Sequence, residues 1–63
     1  MTELQRLYTQ MLNNLEKGLN DLEKFEDGNA SAGTRVRKNM QTVKDLAQKT
    51  RVLVQEQKNA VPA

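Results

Sequence analysis

Arg35, Arg37 and Lys38 fall within four consecutive positions, directly after Ala30-Ser31-Ala32-Gly33 and the hydroxyl of Thr34. Guanidinium groups grip phosphate through paired N–H donors, and the start of a helix offers free backbone amides to the same anion. Cations near a helix start oppose its dipole, at a cost of about 0.3–1 kcal/mol each, so stability alone would place acids there. A longer pattern overlaps this cluster. Arg37, Lys44, Arg51 and Lys58 recur every seven residues and make one stripe along a helix. At 1.5 Å per residue three heptads span roughly 30 Å, close to one turn of duplex DNA. Phosphate contact is therefore the chemistry these side chains suit. The competing reading is ionic pairing within the fold, since Glu16 and Glu23 also lie seven apart and could meet the stripe across a hairpin. The direction of Arg35 and Arg37 separates the two: guanidiniums tied to carboxylates favour pairing, and guanidiniums crowded in solvent favour phosphate.

Other chemistry fails on inventory. The 63 residues contain no Cys and no His, which removes disulfides, thiolate metal sites and the usual neutral-pH base. There is no Gly-rich phosphate loop with its Lys, and carboxylates such as Asp21 and Glu23 fall on an open helix face. The expectation is a non-enzyme with no cofactor, no metal and no small-molecule substrate. One Tyr, one Phe and no Trp make no stacking platform for single strands. Tyr8 and Phe25 are expected in the core. No apolar run reaches the roughly 18–20 residues of a membrane span, and Met1-Thr2-Glu3-Leu4-Gln5 does not read as a signal peptide. The chain is expected in the cytoplasm, away from membranes.

The elements that position the cations are helices. Thr2-Glu3-Leu4-Gln5 has the form of a capping box. Leu4, Tyr8, Met11, Leu15, Leu22 and Phe25, with Gly18 in the remaining slot, alternate spacings of four and three, a heptad seam. Gly28 is the natural left-handed C-terminal residue, and Asn29 caps the next helix. Val36, Met40, Val43, Ala47, Thr50 and Val54 form the second seam. The expected fold is all-α: one domain over 1–63, with a helix over about 3–26, a turn at about 27–29, a helix over about 30–59 and a frayed tail at 60–63. The short turn makes the two helices antiparallel neighbours.

Both apolar stripes are wider than one partner helix needs. Two helices alone would leave Leu12, Leu19, Leu46 and Leu53 partly wet, and burying a Leu is worth roughly 1.5–3 kcal/mol. A chain this short also buries too little surface to be comfortable alone. The expectation is self-association, most simply a homodimer forming a four-helix bundle or a coiled-coil-like oligomer. Asn39 interrupts the apolar stripe and is expected to set register at that oligomer interface, beside Leu12, Leu19, Leu46 and Leu53.

The net charge of +2 hides a segregation: residues 1–27 sum to −3 and residues 28–63 to +5. Two functional readings follow. In one, the oligomer binds duplex DNA without sequence preference through Thr34, Arg35, Arg37 and Lys38, joined by Lys44 and Arg51. In the other, the hairpin is a protein–protein oligomerisation or adaptor module with no nucleic-acid role.

The stretch Gly28-Asn29-Ala30-Ser31-Ala32-Gly33-Thr34-Arg35-Val36-Arg37-Lys38 resembles the bacterial linker-histone-like nucleoproteins, the chlamydial DNA-condensing protein and its short relatives. In that family a first helix leads to Gly-Asn, small residues, an Arg-Val-Arg element and a second helix. The resemblance implies DNA binding, chromosome condensation, a nucleoid location and a helical part that self-associates. Long members carry a Lys- and Ala-rich tail, whereas this sequence stops at Val61-Pro62-Ala63. DNA affinity is then expected to come from the hairpin itself.

Overall fold

The computed structural model describes residues 1–60, which form an antiparallel pair of helices, α1 (Glu3–Glu26) and α2 (Ala30–Ala60). The frayed tail expected at 60–63 is helical at Ala60, and its remainder lies outside the described residues. The pair is a rod with extents of 53 × 18 × 12 Å.

Local sequence signals set the start of α1 and both ends of the turn. The Thr2 side chain accepts from the Gln5 amide at 3.1 Å, and the Gln5 side chain accepts from the Thr2 amide at 2.9 Å. This satisfies two of the donors a helix start leaves orphaned. At the other end of α1, Gly28 has φ +103. Its amide donates to Phe25 O, and the Asn29 amide donates to Lys24 O. That pair of bonds is a Schellman motif, which needs a left-handed residue and so a glycine. Asn29 then caps α2, its side-chain oxygen accepting from the Ala32 amide at 3.3 Å.

The face that joins the helices overlaps the expected seams only in part: Gly18 and Thr50 belong to both, and Val36 and Ala47 are half-buried at its border. Leu7, Gly18, Ala32, Leu46 and Thr50 are buried, while Leu4, Met11, Asn14, Asp21, Asn39, Val43 and Leu53 are half-buried around them. Small and polar residues hold the centre. A Cβ on Gly18 would run into Asn39 Oδ1, and one on Gly33 would lie 2.8 Å from the Phe25 ring. At both positions a side chain from the other helix fills the space that a Cβ would need. Asn39 Nδ2 donates to Asn14 O, and the buried Thr50 hydroxyl donates to Leu46 O at 2.8 Å.

Three expectations change. Leu46, assigned to the oligomer interface, retains only 9% of its exposure within a single chain because it packs between the two helices. Leu53 is half-buried in the same seam. Asn39 sits between the two helices of one chain, where its Nδ2 donates to Asn14 O and its Oδ1 is buried without a partner. Conversely, Tyr8 (61%) and Phe25 (50%), expected in the core, are exposed together with Leu15, Leu22, Met40 and Val54.

Candidate nucleic-acid interface

The cations of the expected cluster do not share one surface. Residues two apart on a helix point about 200° from each other. Arg35 turns toward α1, and its Nε donates to Asp21 Oδ1 at 2.8 Å. Arg37 turns the other way and lines an apolar groove with Leu22, Phe25, Gly33, Thr34 and Val36. The proposed discriminator therefore gives a divided answer: one guanidinium is tied to a carboxylate across the hairpin and the other is not. The only ion pairs within 4.0 Å among the described residues are Arg35–Asp21 and Arg6–Glu3. Glu16 and Glu23 do not pair with the stripe, because they lie along the edge of α1 remote from α2.

Helical geometry sorts the cations into two zones. Lys44, Arg51 and Lys58 follow Arg37 along one edge of α2. The second zone is the broad face that carries the Arg35–Asp21 bridge. Lys17 and Lys24 stand four before and three after Asp21, with Arg6 in line further along α1. Lys38 stands three after Arg35, and Lys49 continues that row on α2. All six of these cations are exposed. Of the nearby acids, Asp21 and Glu3 have cationic partners, whereas Asp45 and Glu56 share the row of Lys38 and Lys49 on α2 without one among the described residues.

The members of this face contributed by α1 were missed in the sequence. That half is acidic overall, and Arg6, Lys17 and Lys24 are spaced by eleven and seven, a period visible only once α1 is treated as a cylinder. Of the residues singled out from sequence, Arg35 and Lys38 belong to the broad face. Arg37, Lys44 and Arg51 belong to the edge row, with Thr34 exposed beside it.

The opposite face is apolar. Leu15, Leu19, Leu22, Val36 and Met40 line a groove of about 230 Å³ between the helices. It continues past Phe25 into a second groove of about 360 Å³. Leu12 and Leu19 are 59% and 55% exposed there. The edge row of α2 borders this face on one side, since Arg37 and Lys44 stand three before and four after Met40. Glu16 and Glu23, each four after Leu12 and Leu19, border it on the other.

No group of three or more His, Cys, Asp or Glu side chains among the described residues is placed to hold a metal. No helix among them is long and apolar enough to cross a membrane.

A two-helix rod with an apolar face, a basic face, Gly28-Asn29 at the turn and Arg35-Val36-Arg37 inside α2 fits a histone-like, DNA-binding protein of the nucleoid. The family model for histone H1-like protein Hc1 matches residues 4–60, and the chain belongs to that family. It is not a family of enzymes. No curated protein and no solved structure matches the chain.

Proposed function

We propose that the chain acts as a self-associating, non-sequence-specific DNA-binding protein of the nucleoid, in the cytoplasm, through contacts to the phosphate backbone. The observation that carries this reading is the exposed basic face, where Lys17 and Lys24 of α1 join Lys38 and Lys49 of α2 with no carboxylate of the described residues within 4.0 Å. Family membership supports it. Lysine and arginine on a smooth helical surface neutralise phosphates and release counterions without reading base edges. The apolar face supplies the self-association, with a homodimer as the smallest unit.

The test is a gel shift on random duplex DNA at two salt concentrations. If six to ten phosphates are engaged, affinity falls by roughly 10³–10⁵ between 50 and 200 mM salt. Replacing Lys17, Lys24, Lys38 and Lys49 with Gln should abolish the shift while leaving helicity and mass unchanged. A retained shift removes the assigned face.

The Arg35–Asp21 bridge favours the other reading, a protein–protein hairpin with no nucleic-acid role. That reading prevails if wild-type protein fails to shift DNA at 50 mM salt.

A further inference from the structure

We infer that a second copy covers the apolar face with its two-fold axis parallel to the helices, so that α1 of each subunit packs on α2 of the other and the two turns lie at the same end. This rests on the self-association proposed above and specifies its symmetry and its ionic contacts.

Two observations point to it. The first is the direction of the seams. In an isolated helical pair the heptad seam of each helix faces the other helix. Here Leu4, Tyr8, Met11, Leu15, Gly18, Leu22 and Phe25 centre roughly 40° away from the buried line of α1 at 100° per residue. Val36, Met40, Val43, Ala47, Thr50 and Val54 are turned from the buried line of α2 by a similar amount, roughly 55°. Both seams turn toward the same surface, because Leu15, Leu22, Val36 and Met40 line one groove. Helices whose seams point diagonally between a neighbour and an open face have the geometry of a four-helix bundle, where every seam faces a common axis.

The second observation is charge. The open face has an acidic edge, Glu16 and Glu23, and a basic edge, Arg37 and Lys44. Two symmetric ways of stacking it on itself exist. With the axis perpendicular to the helices, α1 lies on α1 and α2 on α2, so acid meets acid and base meets base. With the axis parallel, each acidic edge meets a basic edge. Register agrees with the second arrangement. Within the hairpin, Gly18 lies opposite Asn39 and Asp21 opposite Arg35. A parallel two-fold preserves those levels. It therefore places Glu23 within a turn of the partner's Arg37, and Glu16 within a turn of the partner's Lys44.

The chain has no cysteine, which permits a single-site label. Asp27→Cys in the exposed turn, carrying a nitroxide, reports the distance between the two turns by pulsed dipolar spectroscopy. A separation below about 25 Å, less than the rise of α1, supports the parallel axis. A separation above about 35 Å, close to the full rise of α1, overturns it while leaving self-association intact. No coupling, with a monomer mass by sedimentation, overturns both. An independent reading comes from Glu16→Lys with Glu23→Arg, measured by sedimentation at low salt. The parallel arrangement predicts a dimer dissociation constant raised at least about tenfold, regained when Arg37→Glu and Lys44→Glu are added. An unchanged constant in the first variant overturns the proposal, since the perpendicular arrangement merely exchanges one like-charge contact for another.

Discussion

The Asn39 side chain packs directly on Gly18, and the glycine's hydrogen is all the space allows there. Gly18→Val should push Asn39 off Asn14 and destabilise the fold by about 1–3 kcal/mol, the usual penalty for overpacking. Thermal melting followed by circular dichroism would register this as a shift of several degrees. At this scale the sequence was only partly readable. The capping box, the left-handed Gly28 and the Asn29 cap follow from local chemistry and sit where their residue types place them. Gly18 and Asn39 were both noticed, but their pairing was not legible, because a missing side chain has no signature until its neighbour is known. Asp21 behaves similarly. It anchors Arg35 from the opposite helix with both side chains partly exposed, so Asp21→Asn should cost only about 0.2–1 kcal/mol. It also removes a negative charge from the basic face. The expected result is a slightly less stable protein whose gel shift on DNA is equal or stronger.

The two helices show why apolar periodicity identified the elements and mistook what they face. A period of seven reports the mean direction of a helix's large apolar residues. For α1 and α2 that direction falls between the other helix and open solvent, so residues assigned to the hairpin core stand outside it. The inner line runs through Leu7, Asn14, Gly18, Ala32, Asn39, Leu46 and Thr50, where small and polar residues stand among two leucines and weaken the hydropathy signal. Two leucines separate the consequences. Leu46 is enclosed by its own chain, so Leu46→Ala should cost about 2–5 kcal/mol at any protein concentration. Leu19 is exposed in the single chain. Leu19→Ala should instead lower the melting temperature of an associated form, with a deficit that depends on concentration, because folding is then linked to assembly. Melting curves at two concentrations distinguish the variants.

For the whole molecule, charge divides at two levels: along the chain, where the halves differ, and around the rod, where Lys17 and Lys24 join the cations of α2. Only the first level is visible in a linear reading; the second requires the helices to be placed side by side. The rod is thus greasy on one side and cationic on the reverse, and each property suits a different partner. Copies that meet through their greasy sides turn their cationic sides outward in opposite directions. Such a unit would hold two separate double-stranded segments at once, tethering them rather than sheathing one. Sedimentation of long DNA should then be greatest at intermediate protein loading and decline at saturation, when every segment carries its own copies and none is left to share.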